Sequence, residues 1–393
     1  MPSNPQQLHE AFQLIGQGLA ESMRLEAQAR REALDLFHTC TAEPAAFRSA
    51  AERAASAEPG LRCAVPLEEN PGVSYRAAAS VPPHTILAVD GSQAFPDRHE
   101  EILFAIVNTG AVTLEMGSGA APSIDVDTRL LYGSELFPNG GPLLSEGDIA
   151  LRRDSAERAA LLRLAAPASG PSIALIDGPL ELWGPKDAAS SNSFAAILEG
   201  YLRNLRELEK RGWLAAGYVD RPGADLVLRL LEVWKAAPQD LQHLSRFHPL
   251  HLCTDRWLFG QILGPGERSA VLQLSSSSRT RYVGSLGLHF FYLNAGSPGH
   301  PSIARVEIPA WVAQDPSSIE LLHGALLGQC HVLGSRPYPY VLHRAHEVSS
   351  LSPAEIEQIK LRLLLELRNR GMEPEAASGK SSAKRASAAK GGA

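Results

Sequence analysis

Two apolar runs in this chain of 393 residues end in the same pair, Asp-Gly. They are Thr85-Ile-Leu-Ala-Val-Asp90-Gly91-Ser92 and Ser172-Ile-Ala-Leu-Ile-Asp177-Gly178-Pro179-Leu180. Apolar or small residues followed at once by an acid and a glycine describe a buried strand that delivers a carboxylate to the edge of a sheet. Ligands of open α/β sheets bind at strand ends. Two carboxylates brought there from separate strands can share hard divalent cations, which take anionic oxygens at about 2.0–2.5 Å. A pair of such ions about 3.5–4 Å apart holds both the attacking water and the leaving oxygen of a phosphodiester. Glycine beside each acid lets a phosphate backbone approach closely. Asp-Gly is also plain turn chemistry, so the matched pair carries the reading. A third acid, Asp220, ends the run Leu214-Ala-Ala-Gly-Tyr-Val219 and is a further candidate ligand.

A second constellation lies near the C-terminus: Tyr338-Pro339-Tyr340-Val-Leu-His343-Arg344-Ala345-His346-Glu347. Histidine ligates metals or donates to a phosphate oxygen, and tyrosine can orient a water or a phosphate. The plainer reading of His346 is a polar contact near a helix start. His248-x-x-His251-x-Cys253 lacks the second ligand pair of a zinc site. Arg221, Arg256, Arg268 and Arg305 could line a channel, or could be solvated or salt-bridged. The phosphate loop G-x-x-x-x-G-K-[ST] is absent, so the chain is not itself a P-loop motor.

The elements that must position these residues are legible in outline. Leu8, Phe12, Ile15, Leu19, Met23 and Leu34 recur at helical steps and predict one long helix from Pro5 to Cys40. Such a helix packs on a partner or across its own domain. Residues 41–80 are Ala-, Glu- and Pro-rich and are expected to be an irregular surface segment. The Asp90 strand is followed by a turn at Arg98-His-Glu-Glu101, a returning strand Ile102–Val107 and a third strand within Ala121–Leu131. A helix over Asp148–Leu164, the Asp177 strand, a helix over Ser193–Arg211 and the Asp220 strand come next. Strand-like runs at Ala270–Leu274, Gly287–Leu293 and Ile303–Ile308 extend the sheet, with Arg305 and Glu307 on one face. Ser352-Pro353-Ala354-Glu355 is a capping box opening a last helix that stops at Gly371. The Ala, Ser, Gly and Lys of 373–393 form no core and predict a disordered tail.

This order predicts an α/β protein with a ribonuclease-H-like mixed sheet flanked by helices, a long N-terminal helix and additional C-terminal strands. The expected organisation is an N-terminal helix (1–40) for dimer or partner contact, a surface segment (41–80), a catalytic domain (81–372) and the tail (373–393). With 44% apolar and 20% charged residues the chain has a substantial core. No run of about 18 uncharged apolar residues suits a membrane. The start Met1-Pro-Ser-Asn-Pro-Gln-Gln lacks a signal-peptide pattern, and Cys40, Cys63, Cys253 and Cys330 form no C-x-x-C pair. Reduced thiols and a cytoplasmic location are expected. A net charge of −6 argues against nucleic-acid binding over the whole surface and leaves room for a local basic channel.

Four segments together resemble the NurA family of nucleases. They are Leu87-Ala-Val-Asp90-Gly91-Ser92, Leu175-Ile-Asp177-Gly178-Pro-Leu180, Arg305-Val-Glu-Ile-Pro309-Ala-Trp311 and Tyr338-Pro-x5-Ala345-His346, in the family's order, over roughly residues 80 to 370. The resemblance implies a ribonuclease-H-like core and manganese-dependent cleavage of DNA, with magnesium as the alternative metal. It implies 5′-to-3′ exonuclease and single-strand endonuclease activity, a homodimer, and a HerA-type hexameric ATPase partner in DNA-end resection and double-strand break repair. The family's metal and catalytic positions fall on Asp90, Asp177, Tyr338 and His346. Its helix glutamate is assigned to Glu157, with Glu146 as the alternative. Two other readings compete: an inactive adaptor of the same fold on an ATPase ring, and an actin-like or sugar-kinase-type ATPase. The second would need glycine-rich hairpins around phosphates, which the sequence lacks.

Overall fold

The alternation of apolar runs and periodic segments is realised as a mixed α/β fold in a computed structural model of the chain, which describes residues 4–184, 191–237, 239–244 and 246–372. In chain order the elements are α1 (Pro5–Ala42), α2 (Pro44–Ala57), β1 (Cys63–Pro66), β2 (Tyr75–Arg76), β3 (His84–Ala94), β4 (Phe104–Met116), β5 (Ser123–Tyr132), α3 (Glu146–Leu164), β6 (Ser172–Asp177), α4 (Ser191–Lys210) and β7 (Trp213–Asp220). There follow α5 (Leu226–Lys235), α6 (Asp255–Ile262), β8 (Glu267–Arg268), β9 (Leu272–Ser275), β10 (Leu288–Asn294), β11 (Ile303–Pro309), α7 (Ala310–Ala313), α8 (Pro316–His331), α9 (Tyr340–Ser349) and α10 (Pro353–Asn369). The chain divides into two units. One comprises residues up to Val81, Gly178–Leu180 and Ala216–Pro339; the other comprises Pro82–Asp177, Glu181–Ala215 and Tyr340 onward. The tail 373–393 lies outside the described residues.

The unit that starts at Pro82 carries the mixed sheet, with order β6-β3-β4-β5. Strands β3, β4 and β5 form an antiparallel meander, and β6 runs parallel to β3 from Thr85↔Ser172 to Val89↔Ile176. Parallel neighbours need a crossover, which α3 supplies. Ile86, Leu87, Ala88 and Val89 of β3 are fully buried, as are Ile173 to Ile176 of β6. Both strands are covered on both faces, which is why their sequences run apolar without alternating. The Ser145 hydroxyl caps Asp148 N of α3 while the Asp148 carboxylate accepts from Ser145 N. Ser352 and Glu355 close the expected reciprocal box on α10. Ile356, Ile359 and Leu363 of α10 pack on Ala94, Phe104 and Ile106.

In the other unit β1, β9, β10, β11 and residues Ala216–Asp220 of β7 form an antiparallel sheet in that order. Helix α5 is buried over almost its whole length. Its own N-cap residue makes no capping bond, and Asp255 takes that role by accepting from Val227 N and Leu228 N. All four cysteines are free and buried. Among the described residues no helix is long and apolar enough to cross a membrane.

One expectation is corrected here. Residues 41–80 are not irregular throughout: α2 occupies Pro44–Ala57 and β1 and β2 follow it. Phe47, Ala50, Ala51 and Ala54 are its buried stripe. Three of these four are alanine, the best helix former and the weakest apolar signal, so the helical period is hard to see in the residues.

Candidate metal centre

Strand β3 does not end at Asp90. It continues to Ala94 and stays paired with β4, with Asp90 opposite Gly110 and Gly91 opposite Thr109. Only the pairing with β6 stops, after Val89↔Ile176. Asp-Gly is therefore neither a turn nor a strand end on this edge. The glycines serve a different purpose. A Cβ on Gly91 would lie 2.6 Å from Glu157 Oε1 and 2.8 Å from Arg153 Cγ, both on α3. A Cβ on Gly110 would lie 2.6 Å from Ser349 N and 2.9 Å from Ala345 O, both on α9. Because adjacent strand residues point to opposite faces, α9 covers the Asp90 face of β3 and α3 covers the Gly91 face.

On the α9 face, His346 Nδ1 lies 2.8 Å from Asp90 Oδ2, and the Ser349 hydroxyl donates to the same oxygen at 3.4 Å. The helix end is held by two further bonds. Asn108 Nδ2 and the Ser92 hydroxyl both donate to Ser349 O. The Asp90 side chain is 13% exposed and that of His346 is 65% exposed, so the carboxylate is fixed inside while the imidazole faces outward. Asp177 closes β6 one position beyond the last pair with β3, so the register sets it beside Asp90 on the same face.

On the α3 face, Glu157 is buried. The Arg153 guanidinium lies between acids: Nε is 3.2 Å from Glu157, Nη2 is 2.6 Å from Asp154, and Nη1 donates to Gln93 Oε1 at 2.9 Å. Burial first, and then the Asp154 carboxylate, push the Glu157 pKa up to about 8 against the opposing pull of Arg153 and Arg158; the Asp90 charge raises it further. Glu146 stands exposed in the first turn of α3. Eleven residues from Glu157, it is about 16 Å away along the axis.

The profile of the NurA domain family matches residues 84–351. The chain belongs to the NurA domain family. No curated protein matches the chain. Among solved structures it is similar to the NurA nuclease from Sulfolobus solfataricus, with 14% identity and a TM-score of 0.47, covering 76% of this chain and 88% of that one. It is also similar to the catalytic domain of human endonuclease V, with 14% identity and a TM-score of 0.30, covering 80% of this chain and 95% of that one.

The motifs that resemble NurA thus divide by position. Asp90, Asp177, Glu157 and His346 lie in one unit; Tyr338 and Asp220 lie in the other, where the Tyr338 ring meets Tyr218 edge-on at 5.8 Å. The Arg305 block is structural in part. Arg305 and Glu307 are buried as an ion pair at 2.8 Å, and Glu307 Oε2 accepts from Leu180 N at 3.0 Å. Arg268 is likewise buried, bidentate to Glu69. Neither lines a channel. His248 pairs with Glu232 and Asp225 rather than with Cys253. Gly110, Arg153 and Ser349 were not legible as site residues, because only the register and the helix contacts place them there.

Asp90, Asp177 and Glu157 offer hard oxygen donors, the chemistry that a manganese or magnesium ion takes. Burial, not a shortage of positive charge, is the main cause of the raised Glu157 pKa, since Arg153 and Arg158 both pull it down. As placed, no three His, Cys, Asp or Glu side chains among the described residues gather to hold a metal ion, and Arg153 is the cation that Glu157 meets.

Proposed function

We propose that this chain is a divalent-metal-dependent deoxyribonuclease using manganese or magnesium. The observation that carries the reading is the register that sets Asp177 beside Asp90, with His346 bonded to Asp90 at 2.8 Å. Asp90 and Asp177 would hold the cation, and Glu157, which packs on the Gly91 face of β3, is carried over from the family motif as the third carboxylate. Bound there, the ion would activate a water and neutralise the scissile phosphate. His346 donates from Nδ1 to Asp90 and fixes the orientation of that carboxylate, as partners of metal ligands do. Tyr338 is carried over from the family motif as a residue that orients water or phosphate. The activities proposed are 5′-to-3′ exonuclease and single-strand endonuclease, in DNA-end resection and break repair, in the cytoplasm.

The assembly proposed is a homodimer working with a HerA-type hexameric ATPase. It is supported by α1, whose first half leaves Phe12, Leu14, Ile15, Leu19 and Met23 each more than half exposed. Such a stripe marks an interaction surface. The second reading, an inactive adaptor, is favoured by Arg153, which supplies to Glu157 the charge a metal would bring. End-labelled linear duplex and single strands, incubated with Mn²⁺ and then with a chelator, separate the two. Metal-dependent release of mononucleotides and internal nicks is expected; DNA left intact under all metals would establish the adaptor.

A further inference from the structure

The unit containing α1 and α6 has a cavity of about 610 Å³ whose lining includes Arg30, Arg221, Arg256, His300, His331 and Trp257 and no aspartate or glutamate. Such a lining is unusual in a chain of net charge −6. Its cations are poorly neutralised. Arg256 is exposed and has no ionic partner among the described residues. Arg221 is 4.0 Å from Asp220, with side chains 77% and 40% exposed, a contact of little strength. Arg30 pairs through Nη2 with Glu26, yet its Nε is buried with no hydrogen-bond partner.

The backbone adds an independent sign. Arg221, at φ 44°, is the one non-glycine residue with left-handed backbone among the described residues. Strain of this kind persists where a site needs it. Gly296, also in the lining, would place a Cβ 2.2 Å from His300 O. Arg30 stacks over Trp257 at 5.3 Å and so presents a cation and an aromatic surface together. Guanidinium groups match phosphate geometry. Cations combined with an aromatic face are the means by which proteins hold single strands without reading sequence.

We propose that this cavity binds the phosphodiester backbone of a single DNA strand through Arg221, Arg256 and Arg30, with Trp257 as the base-stacking surface. The inference rests on the nuclease reading for its ligand but uses none of the candidate metal ligands. The test is fluorescence anisotropy of a labelled oligothymidylate on the full chain carrying Asp90→Ala, with and without Arg221→Ala and Arg256→Ala. Both arginines are exposed, so thermal unfolding should be unchanged. Affinity should fall at least about ten-fold. The slope of log affinity against log salt should fall by about 1.4, at about 0.7 per phosphate contact on a single strand. Equal affinity and equal slope in the arginine variant would overturn the inference, as would full displacement of the strand by an equimolar mononucleotide, which would make the cavity a free-nucleotide site. Cleavage by the unsubstituted protein is scored separately: a protein that cuts DNA but ignores these arginines loses this inference alone.

Discussion

Gly110 stands opposite Asp90 with backbone of α9 where its side chain would be. Gly110→Ala should push α9 off the sheet, because the atoms in the way are Ser349 N and Ala345 O rather than a flexible chain end. A cost of about 1–3 kcal/mol is expected for such overpacking, read by chemical denaturation, together with loss of activity. Unchanged stability would show that α9 does not lie where the glycine implies. His346→Ala removes the donor to Asp90 and should weaken Mn²⁺ affinity or turnover about 10- to 100-fold, with DNA affinity kept. His346→Gln, which retains an N–H, should recover part of the loss. A DNA-binding defect with normal turnover would instead make His346 a substrate contact. Asp90 and Asp177 were legible because acid and glycine stand out after apolar runs. The meaning of Gly91 was not, since a glycine needed for a helix's approach has the same letter as one needed for a turn.

The elements differ in how openly the sequence shows them. The α10 capping box is a local signal and could be read from four residues. Helix α1 was also legible, but its division was not. Its first half exposes Phe12 and Met23, while Ala33, Phe37 and Cys40 near its end are buried and Phe37 meets Phe259 edge-on at 6.0 Å. Removing residues 1–24 should therefore leave the fold intact and weaken self-association, measured by sedimentation at micromolar concentration. A dimer equally tight after the truncation would refute a contact role for this stripe. Helix α8 carries a pH dependence of its own. Burial first, and Arg268 second, lower the His323 pKa from 6.5 to about 4, and its Nε2 donates to Gly266 O at 3.0 Å. A depressed histidine favours its neutral form in the fold, so the unfolded chain binds the extra proton first. Its contribution is present above pH 6.5 and lost as pH falls through about 4, up to roughly 3 kcal/mol by linkage. Denaturant melts between pH 7 and pH 4 should show the decline, and His323→Gln should flatten it.

At the scale of the whole molecule, the chain passes between its two units several times, and the family match over 84–351 spans both. The succession of strands and helices from β3 to β7 followed from the order of apolar and periodic segments, whereas the sheet order and the α3 crossover came only with the strand pairing. Which acids share a face did not follow, because a shift of one residue reverses every side chain. The register of β3 and β6 is what the proposed metal centre of Asp90 and Asp177 depends on. The most direct measurement is Mn²⁺-dependent cleavage of end-labelled single-stranded and linear duplex DNA by the wild-type chain and by Asp90→Ala at matched DNA occupancy. Cleavage by the wild type that a chelator stops is expected, with none detectable from an Asp90→Ala protein that folds and binds DNA normally. Asp90→Ala cutting at the wild-type rate, with contaminating nuclease excluded, would contradict it.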